Sequence, residues 1–164
     1  MSDVRPHSSN VLPTRQGSDN WSTPFSFGAK LDREFELQPW DPCPINPEGF
    51  RRSDGQAGSP EGIIRYRMNP PYSRVAPWLL LARKDQLRGK LVCVIIKGDT
   101  STDWFYELVR PYAELRLVHG RVRFGDKGPA PFNTIVAIYR PNCERAGQVS
   151  WMEAQVVEGE NSKV

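Results

Sequence analysis

Apolar positions recur along this chain in three rhythms, and each predicts a different kind of element. Between Pro24 and Phe35 the large apolar side chains are Phe25, Phe27, Leu31 and Phe35, intervals compatible with one face of a helix. Thr23-Pro24 is a suitable helix start because proline is tolerated in the first turn. Phe35-Glu36-Leu37-Gln38 then alternates like a first strand and ends on the turn-rich Pro39-Trp40-Asp41-Pro42-Cys43-Pro44. Asn46 to Pro60 is rich in Gly, Pro, Ser and charge, which predicts a long mobile loop.

Beyond that loop the elements alternate more regularly. Gly62 to Met68 reads as a strand that stops at Asn69-Pro70-Pro71-Tyr72, because two prolines cannot continue a central ladder. Ala76 to Gln86 predicts a helix, with Gly89 as its C-terminal cap. Leu91-Val92-Cys93-Val94-Ile95-Ile96 is a continuous apolar run, the pattern of a central strand buried on both faces of a mostly parallel sheet. A short helix over Asp103–Tyr112 follows, and then Leu115-Arg116-Leu117-Val118, leading through Gly120 to Val122 and Phe124. The β-branched run Thr134–Tyr139 is the last strand. Strand–helix alternation closing on two successive strands predicts a three-layer α/β domain with a C-terminal antiparallel pair.

Length and composition bound this picture without deciding function. A chain of 164 residues with 38% hydrophobic content suits one domain. We place it at residues 20–152, between polar tails at 1–19 and 153–164 expected to be flexible. No run approaches a membrane span and no signal-like apolar core appears near the start, so the expected location is the cytoplasm, with no membrane partner. Cys43, Cys93 and Cys143 are odd in number, widely spaced and without nearby histidines, which argues against a disulfide framework and against a metal site. His7 and His119 read as ordinary surface or turn residues. A net charge of +3 suits a polyanionic partner but is too mild to demand one.

The sharpest chemical feature is Asn69-Pro70-Pro71-Tyr72 at the end of a strand. A rigid turn would explain it, and so would a site acting on an amino group attached to an aromatic ring. Such a nitrogen is a poor nucleophile because its lone pair is delocalised, so a site must accept hydrogen bonds from its N–H groups and hold it in line with an electrophile. Asn69 offers a side-chain carbonyl, Pro70 a main-chain carbonyl, and Tyr72 an aromatic face on which a base can stack. The prolines hold these groups in place, which is how orientation lowers a barrier.

Trp21-Ser22-Thr23-Pro24, Asp41-Pro42-Cys43, Asn69-Pro70-Pro71-Tyr72-Ser73, Trp104-Phe105 and Gly120-Arg121-Val122-Arg123-Phe124 follow one another in an order that resembles the phage-type DNA adenine methyltransferase family. The resemblance covers about residues 20 to 141. It implies a Rossmann-like methyltransferase fold, S-adenosyl-L-methionine as cofactor and double-stranded DNA as partner. Asn69, Pro70, Pro71 and Tyr72 would then form the catalytic motif around a base turned out of the duplex. Thr23, Pro24 and Asp41 would contact the cofactor, the acidic Asp41 being a sensible neighbour for a cation.

The sequence departs from that pattern in one place. The expected first strand runs into Asp41-Pro42-Cys43-Pro44 instead of a glycine-rich turn. Only 27 residues lie between Asp41 and Asn69, little room for second and third strands, so the fold is expected in trimmed form. Ser73, Arg121 and Arg123, with Lys97 and Lys127, suit a phosphate-contacting surface, the two arginines sharing one face of a strand; a solvated strand face is the plainer reading. Trp104 reads as core before nucleic-acid contact, and Arg51-Arg52 as loop solvation or DNA contact. Two alternatives remain open: the same motif acting on an RNA amino group or a protein glutamine, and an inactive relative that only binds nucleic acid.

Overall fold

A computed structural model describes residues 21–43, 59–124 and 128–154. Its centre is β2, Leu91–Lys97, whose residues from Leu91 to Ile96 are all buried, as a strand covered on both faces must be. Helix α1, Phe25–Phe35, covers one face of the sheet, because Phe27, Leu31 and Phe35 recur every four residues and form one apolar stripe. That stripe packs on Leu91, Cys93 and Ile95 of β2. Helix α2, Ala76–Leu87, covers the other face through Leu79 and Ala82 against Val92, Val94 and Ile96. Burying each of these large side chains is worth about 1.5–3 kcal/mol. Layering α1, sheet and α2 gives the expected three-layer α/β architecture.

The five-stranded sheet has the order β1-β2-β4-β3-β5, where β1 is Arg65–Met68, β3 Glu114–His119, β4 Thr134–Tyr139 and β5 Val149–Glu153. β1 pairs parallel with β2, and β5 parallel with β3. β4 runs antiparallel to both β2 and β3, so the antiparallel pair expected near the C-terminus is present. The sheet is thus mixed and not mostly parallel. With β4 reversed, β1, β2, β3 and β5 all point their C-terminal ends the same way. In open α/β sheets that is the end where ligands bind.

Several expectations change here. No strand forms at Phe35–Gln38: Phe35 closes the helical stripe, and Glu36 turns the chain with a left-handed φ of 53°. The segment that follows instead straps the free edge of β1. The Gln38 main-chain N–H donates to the Arg65 carbonyl at 2.8 Å, the Gln38 side-chain oxygen accepts from the Ile64 and Arg65 amides, and Trp40 packs edge-on against Tyr66. Pro24 is the N-cap of α1, one residue ahead of the first turn. The helix expected over Asp103–Tyr112 is one turn that continues as π-helix over Phe105–Val109. Strand β5 is absent from the sequence expectation; its sequence leaves Val149 and Trp151 exposed and buries only Met152, too faint an alternation to read locally.

The expectations for residues 1–19, for the chain beyond Ala154, for His7, Arg51-Arg52 and Lys127 and for most of the Asn46–Pro60 loop lie outside the described residues. Glu153 and Ala154, expected in the flexible C-terminal tail, are ordered instead: Glu153 ends β5 and Ala154 is buried. The end of that loop is anchored: Lys90 donates to the Ser59 hydroxyl at 2.6 Å, and Asp85 accepts from the Ser59 amide and the Tyr66 hydroxyl. All three cysteines are free. Among the described residues no helix is long and apolar enough to cross a membrane.

Candidate active site

Strand β1 ends at Met68, which is fully buried, and the chain leaves the sheet at Asn69-Pro70-Pro71 before a 3₁₀ turn over Tyr72–Arg74 leads into α2. Pro70 is buried, while Asn69, Pro71 and Tyr72 are half-buried, so the motif sits at the rim of the core, at the C-terminal end of β1. The Asn69 amide is held from both sides. Its Nδ2 donates to the main-chain carbonyl of Trp21, and its Oδ1 accepts from the Tyr72 hydroxyl at 3.1 Å. A carbonyl oxygen has two lone pairs, so Oδ1 can still accept a second hydrogen bond.

An aromatic cluster holds these groups. Tyr72 meets Phe132 edge-on with ring centroids 5.1 Å apart, Phe132 meets Trp21 at 5.4 Å, and Trp21 meets Phe124 at 5.6 Å. Burial pushes the Tyr72 phenol well above its ordinary range, so the hydroxyl keeps its proton and donates at any physiological pH. The cluster exists because Phe124 and Phe132 lie on the connection between β3 and β4, which turns at the same end of the sheet as Asn69.

Asp41 reaches this site by a route other than the expected one. It follows the strap across β1, where its Oδ1 accepts from the Cys43 amide at 2.8 Å, and the Asn69 main-chain amide points in turn at the Cys43 sulfur. Surrounding protein lifts the Asp41 carboxyl to about 6, offset by the Cys43 amide and by Arg67. The residue nonetheless stays exposed, so solvent screening limits what that shift is worth in stability. Arg67, two positions before Asn69, is itself engaged by Asp32 of α1 at 2.7 Å and lies over Gly28.

The remaining expected residues fall around this centre. Thr23 and Pro24 are half-buried between Trp21 and the start of α1. Ser73 is exposed beside Tyr72. Arg121 and Arg123 are exposed while Val122 and Phe124 are buried, so the two arginines share the outer face, carried by a short pairing of Arg123 with Pro129. Trp104 is half-buried and packs on Phe105, in line with its reading as core. Sequence reasoning missed the roles of Phe132 and of the Trp21 carbonyl. Trp21 stands in an ordered motif, but nothing local marks its main chain as a partner of a residue 48 positions away.

The family model of DNA N-6-adenine-methyltransferases (Dam) matches residues 61–151, more than half of the chain. The chain belongs to the Dam family. The matched region holds Asn69–Tyr72, Ser73, Arg121 and Arg123, whereas Trp21, Thr23, Pro24 and Asp41 lie before it. The candidate site therefore draws on chain outside the matched segment, through the Trp21–Asn69 contact. No curated protein matches the chain. Among solved structures it is similar to a predicted O-methyltransferase of Agrobacterium tumefaciens, at 17% identity and a TM-score of 0.36 over 61% of this chain and 45% of that one. The match thus spans less than half of that protein.

Proposed function

We propose that the chain transfers a methyl group from S-adenosyl-L-methionine to the exocyclic N6 amino group of adenine in double-stranded DNA. The observation that carries this reading is the Asn69 amide, clamped between Trp21 and Tyr72 with acceptor capacity left on Oδ1. In this reading Asn69 Oδ1 and the Pro70 carbonyl accept the two amino hydrogens and bring the nitrogen lone pair toward the incoming methyl group. Tyr72 supports the extruded base, and the prolines keep the acceptors from moving as charge develops. Arg121, Arg123 and Ser73 meet phosphates on the outer rim.

The residues present fit the charge of the cofactor, which when bound supplies the electrophilic methyl on a sulfonium. Asp41 accepts a hydrogen bond from the Cys43 amide, and a cation beside it would favour its ionised form. Asp41, Thr23 and Pro24 are the residues that would hold the methionine end.

The test is nucleoside mass spectrometry of DNA from cells expressing the protein, together with labelled methyl transfer to separate DNA, RNA and protein fractions. N6-methyladenine in DNA is the expected product. Label confined to RNA or protein would replace the substrate, and no transfer with no cofactor binding in calorimetry would leave a nucleic-acid-binding relative.

A further inference from the structure

We propose that the main-chain carbonyl of Trp21 is a positioning group that dictates which way the Asn69 amide faces, and that it makes asparagine, not aspartate, the residue this site requires. The functional half of this statement rests on the reading above; the geometric half does not. A carbonyl oxygen only accepts hydrogen bonds, so the end of Asn69 that faces Trp21 must be the NH₂ end. Oδ1 is thereby turned toward the Tyr72 hydroxyl, which donates to it. Flipping the amide would oppose two acceptors at Trp21, and only the Tyr72 contact could re-form, with the hydroxyl now accepting.

The carbonyl is itself held in place. The Trp21 ring is wedged edge-on between Phe124 and Phe132, and Phe132 also carries the Tyr72 ring. Both hydrogen-bond partners of Asn69 are thus anchored on one aromatic residue, and the segment ahead of α1 takes part in the site through its backbone.

An aspartate at this position would present Trp21 with a second acceptor unless it were protonated, when its O–H would donate to the carbonyl and its C=O would replace Oδ1. Its carboxyl should therefore be raised. The groups facing position 69 are Tyr72 and Cys43, both kept protonated by burial, then Asp41, and Arg67 paired with Asp32. Asp41, at about 6, is common to both proteins but would also repel a new carboxylate.

Thermal unfolding of full-length Asn69→Asp and wild type, without DNA or cofactor, from about pH 5 to about pH 8 tests this. A carboxyl raised in the folded state stabilises below its unfolded value and loses that contribution as pH rises. The Tm deficit of Asn69→Asp should thus be small at low pH and grow to several degrees at high pH. Asn69→Ala, which has no carboxyl, should show a deficit that does not change with pH. Repeating the series in an Asp41→Asn background isolates the carbonyl. If the pH dependence persists there, Trp21 is its source; if it disappears, repulsion between carboxylates caused it and the proposal falls. A flat deficit for Asn69→Asp overturns it outright. In single-turnover methylation, the ratio of Asn69→Asp to wild type should rise about tenfold or more as the pH falls from about 8 to about 5. Should neither protein methylate while the unfolding pattern holds, the positioning role stands and the functional reading fails.

Discussion

The Tyr72 hydroxyl donates to Asn69 Oδ1 at 3.1 Å while the Tyr72 ring packs edge-on against Phe132, so the two parts of one side chain have separable duties. Tyr72→Phe should keep the ring in place and lose one hydrogen bond, about 1 kcal/mol or a several-fold drop in kcat. Tyr72→Ala should lose about 1–3 kcal/mol of base binding. The fluorescence of 2-aminopurine at the target position, read beside turnover, separates the two; equal activity of Tyr72→Ala and wild type would reduce Tyr72 to a packing residue.

Asn69→Ala should lower methyl transfer by about a hundredfold or more, since it removes an acceptor aimed at the reacting nitrogen. Asn69 lies beyond the last residue of β1 and is only half-buried, so the far-ultraviolet circular dichroism should be unchanged. Near-normal single-turnover rates in a folded variant would remove Asn69 from the site.

Asp41 sets a pH dependence with two opposite signs. Its carboxyl is raised to about 6, so holding it ionised opposes folding as pH rises through that value, and the effect is absent below the ordinary carboxylate range. Asp41→Asn should then melt no lower than wild type at pH 8 in the absence of cofactor, a small difference given the exposure of the residue. Cofactor affinity should behave oppositely in wild type, weakening as pH falls through about 6 and losing that dependence in Asp41→Asn. Calorimetric titration at several pH values checks both, with DNA affinity as the control that should change less.

Gly28 lies inside α1, where alanine ordinarily adds about 0.5–1 kcal/mol. Here a Cβ would come within 2.9 Å of Arg67 Nη2, so the guanidinium must swing away from Asp32. We expect Gly28→Ala to be nearly neutral in the wild-type background and stabilising once Arg67 is replaced by alanine. A double-mutant cycle by chemical denaturation should give a coupling on the order of 0.5–1 kcal/mol. Equal gains in both backgrounds would show that Arg67 does not rest on Gly28.

Local pattern alone determined much of the scaffold. The runs Leu91–Ile96 and Thr134–Tyr139 are apolar at nearly every position, which only two-sided burial rewards, and both are strands. The stripe Phe27, Leu31, Phe35 was legible from the spacing of a 3.6-residue repeat, and the helix over Ala76–Leu87 from the glycine that ends it. Asn69-Pro70-Pro71-Tyr72 was legible as the end of a strand because its prolines cannot extend a ladder. What local pattern could not decide was which distant segments meet. Phe35 fits a strand alternation as well as a helical stripe, and only packing against Leu91, Cys93 and Ile95 chooses the helix. The insertion of β4 between β2 and β3 is a long-range pairing with no local signal, yet it carries the β3–β4 connection, with Phe124 and Phe132, to the end where Asn69 emerges. The Trp21 carbonyl is the clearest case: every residue has one, so its role at Asn69 follows only from where the aromatic cluster places that stretch of backbone.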